Sequence, residues 1–249
     1  MKILIPIKMV VDHNIAIQLK NDKSSLDIEN LKMSINPFDE HAIEEAIRLK
    51  ENGIAKEIIS ISCGSLKAQQ ILKTSMSMGI DRSILFECDS DLEPLAIAKI
   101  LKYAIELEKP DLVIMGKQAI DDDSSQTGQM LAGLLNWPQA TFVNKIENIN
   151  NNEIIIKREA NHSYEILSIK LPAIITVDLS INEPRYISLT NIIKAKKKSL
   201  TIIDVKKLNL NLINRLKINN FQEQILERSV QLISNVDELI EKIKNNNKG

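Results

Sequence analysis

Between residues 3 and 135, short apolar runs alternate with segments whose apolar residues recur at helical spacing. The runs Ile3–Ile7, Ile58–Ser62, Ser83–Glu87 and Leu112–Met115 are too short for buried helices and read as strands, the first buried on both faces. A helix follows each in turn. The first begins at Asn36 as N-cap, with Pro37 in the first helical position and Asp39 in the third. Its apolar positions are Ala42, Ile43, Ala46 and Ile47, and Gly53 ends it. The second carries Ala68, Ile71, Leu72 and Met76 inward and closes at Gly79; the third spans Pro94–Glu108. Repeated strand–helix alternation predicts a parallel sheet with helices on both faces, a doubly wound α/β fold. Such sheets hold ligands beyond the carboxyl ends of their strands, where the strand order reverses.

The stretch 110–136 is the strongest site signal. The strand Leu112–Met115 breaks at Gly116, a polar loop follows, and Ser124 or Ser125 is placed to cap a helix with Met130, Leu131, Leu134 and Leu135 on its apolar side. Such a strand, loop and helix start aims backbone N–H groups and the positive end of a helix dipole at an anion. Gly116 permits backbone approach, Lys117 supplies charge, and Ser124, Ser125, Gln126 and Thr127 supply donors. Neither a Walker pattern nor a glycine-spaced dinucleotide fingerprint is present. Asp121, Asp122 and Asp123 would repel a phosphate unless a cation or geometry separates them; one of them could accept from a ribose hydroxyl. A metal cage is disfavoured, because consecutive carboxylates rarely converge on one ion and no second acidic element is evident.

The remainder of the chain departs from this alternation. Ala16–Leu19 and Leu31–Ile35 could pair as a small hairpin. Thr141–Ile149, Glu153–Glu159 and Tyr164–Lys170 read as consecutive antiparallel strands, and Ala173–Val177 as one more buried strand. Residues 182–198 form a loop and a short basic helix; Pro184 stiffens it, and Tyr186, Ile187 and Leu189 have the composition of a protein-contact anchor. Leu200–Ile203 is strand-like, and an apolar stripe over residues 222–243 completes a long C-terminal helical arm. The expected division is an α/β domain over 1–199 and an arm over 200–249 that wraps this domain or packs on a partner subunit.

Net charge is -1, which argues against a general nucleic-acid binder. Aromatics make up 3% of the residues, so an aliphatic core is expected. Two cysteines without metal-ligand spacing fit a reducing compartment, and no run approaches a membrane span or a signal peptide, so a cytoplasmic location is expected. His13, His41 and His162 lie in unrelated segments, and Cys63 has no basic partner nearby in sequence. With no nucleophile or acid–base pair evident, no catalytic residue is assigned, and a nucleotide held here would be structural.

Several motifs in order carry a resemblance: Asn36-Pro37-Phe38-Asp39-Glu40, Ser62-Cys63-Gly64, Met78-Gly79-Ile80-Asp81-Arg82, Gly116 through Asp123 with Gln126-Thr127-Gly128-Gln129, and Leu171-Pro172-Ala173 followed by Asn182 through Tyr186 and Ala195 through Lys198. Over essentially its full length the chain resembles the beta subunits of electron transfer flavoproteins. The resemblance implies a Rossmann-like sheet of the adenine nucleotide alpha hydrolase type, in a heterodimer with an alpha subunit that holds most of a redox-active FAD. It implies a structural AMP contacted by Pro6, Asn36, Pro37, Phe38, Asp39, Cys63, Gly116, Lys117, Gln118, Ala119, Ile120, Asp121, Asp122, Asp123, Ser124, Ser125, Gln126 and Thr127.

The same resemblance puts a partner-binding loop at Asn182, Glu183, Pro184, Arg185, Tyr186, Ile187, Ser188, Leu189, Thr190 and Asn191, with Leu189 as the anchor for primary dehydrogenases such as acyl-CoA dehydrogenases. Glu159 would meet the alpha subunit's flavin domain, and Val11-Asp12-His13 would approach the flavin ring. Electrons would leave through a quinone oxidoreductase. Bifurcating relatives place a second FAD where others keep AMP, and the Ser-Ser-Gln-Thr loop resembles the AMP-holding group more. Thr190, Ile193 and Asn161-His162 depart from the usual Pro, Met and glycine pair. Two other readings remain open: an ATP-sensing or adenylate-transferring enzyme of the same architecture, and an interaction module without a ligand.

Overall fold

A computed structural model describes residues 1–88, 92–150, 152–161, 163–223, 230 and 232–246. Strand β1, Lys2–Pro6, alternates its buried side chains between the two faces of a sheet: Ile3 and Ile5 pack on one side, Leu4 on the other. A small antiparallel pair follows, β2 (Met9–Val11) with β3 (Met33–Ile35). Helix α1, Pro37–Glu51, leads to β4 (Glu57–Gly64); α2 (Gln69–Met78) then leads to β5 (Arg82–Glu87). Next come α3 (Pro94–Glu108), β6 (Leu112–Gly116) and α4 (Thr127–Leu135). Strands β7 (Gln139–Ile149), β8 (Glu153–Ala160) and β9 (Ser163–Lys170) form a meander, and β10 (Ala173–Val177) returns to the sheet centre. Helix α5 (Leu189–Ala195) and strand β11 (Leu200–Asp204) follow, and α6 spans Val236–Asn246.

Nine strands share one sheet, in the order β11-β5-β4-β1-β6-β10-β7-β8-β9. Every pairing from β11 to β7 is parallel, and the last two are antiparallel. The chain moves outward from β1 through β4 and β5, then crosses to β6 on the other side. The order therefore reverses between β1 and β6, the position at which α/β sheets open a crevice. Ile43, Ile47, Ile71 and Leu72 of α1 and α2 cover one face; Ile100, Leu101 and Leu131 of α3 and α4 cover the other.

Three sequence expectations change. Residues Ala16–Leu19 do not pair with Leu31–Ile35; Met33–Ile35 pairs with Met9–Val11, and Leu19 instead bridges Leu26. The division after residue 199 cuts through the sheet, because Leu200–Asp204 pairs in parallel with Ser83–Glu87. The helix after the 116–126 loop begins at Thr127, with Gln126 and not Ser124 or Ser125 in the N-cap position.

By compactness the chain divides into Met1–Ile17 with Ile28–Ile218, and Gln18–Asp27 with Asn219–Gly249. In the second unit α6 has a paired cap: Asn235 Oδ1 accepts from the Glu238 amide at 2.9 Å, and Glu238 Oε2 accepts from the Ser234 amide at 3.1 Å. Residues 224–229 and 231 of the expected 222–243 stripe lie outside the described residues. No described helix is long and apolar enough to cross a membrane.

Candidate functional site

The carboxyl ends of β1 and β6 are tied together through the first turn of α1. Asp39 is buried there. One oxygen accepts from the Gly116 amide at 3.1 Å and the other from the Lys8 amide at 2.8 Å. Burial pushes its carboxyl up to about 7, against the pull of the hydrogen bonds from Lys8, Asn36 and Gly116. Asn36 occupies the N-cap position of α1, but its side chain makes no cap. Its Nδ2 donates to the Gln118 carbonyl at 2.8 Å and its Oδ1 accepts from the Ile120 amide at 3.2 Å, so it holds the loop instead of the helix.

Gly116 is where it is because nothing larger fits. A Cβ there would lie 2.6 Å from Phe38 Cβ, far inside contact distance. Gly128, in the first turn of α4, is equally crowded: a Cβ would lie 2.7 Å from Thr176 Cγ2 and 3.1 Å from Met115 Sδ. These glycines let two helix starts close on the sheet at one crevice.

The loop between them is shaped by its own side chains. Asp123 and Ser125 adopt left-handed backbone angles, φ 47° and 51°. The Asp123 amide donates to the Ala119 carbonyl at 2.9 Å, and its carboxylate accepts from Gln118 Nε2 at 2.8 Å. Ser125 Oγ donates to the Lys117 carbonyl at 2.8 Å. That bond is why Ser125 is no helix cap. Gln126 takes the N-cap position, and its side chain makes no cap hydrogen bond to the first turn of α4.

The acidic run is partly compensated by a distant lysine. Lys8 Nζ lies 2.8 Å from Asp121 and 3.0 Å from Asp122. Burial works against the Lys8 charge, yet these two carboxylates outweigh it and hold its pKa above the usual value. Asp122, also opposed by burial, is held low by the Ser124 amide and Lys8. Sequence reasoning missed Lys8, whose role depends on contacts 113 and 114 residues away. Lys117, expected to supply charge to the loop, is committed elsewhere. It pairs with Asp178 at 2.8 Å and lies 5.3 Å from the centroids of the Phe38 and Phe142 rings. Phe142 itself has φ 58°, at the irregular pairing of β7 with β10.

Pro6 ends β1, and Pro37 and Phe38 open α1. Cys63 is the penultimate residue of β4; burial first, and Cys88 second, push its thiol well above the usual range, which disfavours the thiolate. Buried Gln129 Oε1, in the first turn of α4, and Ser62 Oγ, beside Cys63, have no hydrogen-bond partner.

The expected partner segment is a separate feature. Arg185 binds Glu44 at 2.8 Å and Glu51 at 2.6 Å, Asn182 Nδ2 donates to the His41 carbonyl and Glu45 at 3.0 Å, and Arg48 donates to the Glu183 carbonyl at 3.2 Å. These bonds pin residues 182–185 to α1. Ser188 caps α5 by accepting from the Asn191 amide, and Leu189 opens that helix. Tyr186 is 98% exposed and Leu189 80%. Glu159 lies exposed in β8.

The doubly wound sheet, with its order reversal between β1 and β6, makes this an open α/β protein, a class in which ligands commonly sit at such a crevice. A family model of the electron transfer flavoprotein domain matches residues 25–208. The chain is 48% identical over 244 residues to electron transfer flavoprotein subunit beta of Dictyostelium discoideum, covering 98% of this chain and 97% of that protein. It is 46% identical to the subunit beta of Bradyrhizobium diazoefficiens, covering 98% of each, and 41% identical to that of Bos taurus, covering 98% and 97%. The chain belongs to the electron transfer flavoprotein beta-subunit family, and serves as a component of an electron carrier.

Proposed function

We propose that this chain pairs with an alpha subunit to form a heterodimeric electron transfer flavoprotein, and that it holds AMP at the β1/β6 crevice as a structural element. The amino end of α4 carries the reading, since the N-cap residue Gln126 makes no side-chain cap and Gly128 lets that end close on the sheet at the crevice. The buried, unpartnered Gln129 Oε1 offers an acceptor in the same turn. The loop Gly116–Thr127, held by Asn36 and Asp39, would take the phosphate and ribose. AMP would supply no redox chemistry; it would stabilise the folded chain by binding only the native state.

The FAD, held mostly by the alpha subunit, would supply the electron-carrying chemistry when bound. The exposed Tyr186 and Leu189 would dock primary dehydrogenases such as acyl-CoA dehydrogenases, and a quinone oxidoreductase would receive the electrons. A docking patch of this kind suits rapid exchange of partners. Co-expression with the alpha subunit, denaturation and identification of the released cofactors tests the assignment. AMP and FAD in equal amounts are expected. Two FAD without AMP would favour a bifurcating carrier, and release of neither AMP nor a second FAD would overturn the nucleotide role.

A further inference from the structure

We infer that Lys8 is a positioning residue of the crevice, holding the acidic run of the loop in a charge state that admits a phosphate beside it. The inference rests on the AMP reading and deepens it. Asp121, Asp122 and Asp123 stand in the segment leading to α4, and three unpaired carboxylates there would oppose an anion. The structure reduces this conflict by a long-range contact. Lys8, just beyond the end of β1, has its amide fixed by Asp39 at 2.8 Å, and its ammonium reaches both Asp121 and Asp122.

The geometry of the run depends on this pair. Asp122 uses one oxygen for Lys8 and the other for the Ser124 amide, 3.0 Å away, which sets the turn just before left-handed Ser125. Asp123 is engaged separately by Gln118. Lys117, the nearest other cation in the sequence, is bound to Asp178. Among the described residues, Lys8 is the cation that these ion pairs give to the run.

The three charged side chains are about half exposed, at 43%, 40% and 43%. Exposed pairs of this kind contribute little to folding. Their effect on a nearby phosphate is different, because removing the lysine leaves two uncompensated negative charges in the loop that would receive it. Lys8 therefore belongs to binding more than to stability.

The test uses the heterodimer with its alpha subunit, stripped of nucleotide, and calorimetric titration with AMP and with uncharged adenosine. Lys8→Met should weaken AMP by about tenfold and leave adenosine within about twofold. Lys8→Arg should retain AMP binding. The triple variant Lys8→Met, Asp121→Asn, Asp122→Asn should recover most of the lost AMP affinity, a result that a purely structural lysine would not produce. Equal loss of AMP and adenosine, or no recovery in the triple variant, would overturn the role of Lys8. Wild-type protein that binds neither compound would instead overturn the nucleotide reading itself.

Discussion

Asp39 and Gly116, 77 residues apart, are joined by a buried hydrogen bond that seats the start of α1 against the end of β6. The same carboxylate holds the Lys8 amide, so one side chain spans the two strands at which the sheet reverses its order.

Replacing Asp39 by Asn substitutes a donor for one acceptor and leaves a buried amide facing it. The expected cost is about 1–3 kcal/mol, read as a lower Tm. The pH dependence has a definite sign. Because the folded carboxyl is pushed up to about 7 from 3.8, the native state holds the proton over that interval. Its contribution to stability therefore falls as pH rises from about 4 to about 7. Asp39→Asn lacks this slope, so the Tm gap between wild type and variant should narrow through that range. A gap that widens with pH would mean the carboxylate is ionised and favourable when folded.

Gly116, Gly128 and Gly133 should respond differently to the same substitution. Gly116→Ala and Gly128→Ala drive a methyl into Phe38 and into Thr176 with Met115, and each should destabilise by about 1–3 kcal/mol. Gly133, exposed on α4, has nothing within 4 Å of the position a methyl would take, so Gly133→Ala should stabilise by about 0.5–1 kcal/mol. Denaturant midpoints with unchanged m-values would measure all three.

What the sequence reveals follows from how local each signal is. Pro94–Glu108 is readable to both ends because a first-turn proline and helical periodicity lie within it. The three antiparallel strands and Ala173–Val177 are likewise readable from their own residues. Pairing between distant segments is not. Met9–Val11 finds Met33–Ile35 across more than twenty residues, and Leu200–Asp204 joins β5 although its sequence resembles any isolated apolar run. In the candidate site, the loop and its helix are legible, whereas the capping serine is misassigned because Ser125 donates back to Lys117. The fates of Lys8 and Lys117 depend on Asp121, Asp122 and Asp178, which only the fold brings near.

Arg185 joins the exposed loop to α1 through Glu44, whose side chain is 3% exposed. Arg185→Ala should cost about 2 kcal/mol, less than a fully orphaned buried charge because Arg48 still binds Glu44 at 2.8 Å. Burial would raise the Glu44 carboxyl, but Arg185 and Arg48 outweigh it and hold it below 4.5. Its stabilisation is present above that value and is lost as pH falls. The Tm gap should therefore shrink in acid, the opposite trend to Asp39. A double-mutant cycle with Glu44→Gln isolates the pair, and zero coupling would show that residues 182–185 are held by other contacts.

Leu189 and Tyr186 present apolar surface beside that pinned segment without serving the core. Leu189→Ala should change folding stability by no more than about 0.5 kcal/mol. If the side chain anchors a dehydrogenase, the same change should weaken docking by about 1–2 kcal/mol, or roughly 5–30-fold. The measurement is flavin reduction in the heterodimer against concentration of a substrate-charged acyl-CoA dehydrogenase, with AMP and FAD content determined on the same preparation. Slower reduction at unchanged cofactor content is expected, and Tyr186→Ala should act in the same direction. Loss of AMP from Leu189→Ala would show that loop and crevice are coupled, and would refute their separate roles.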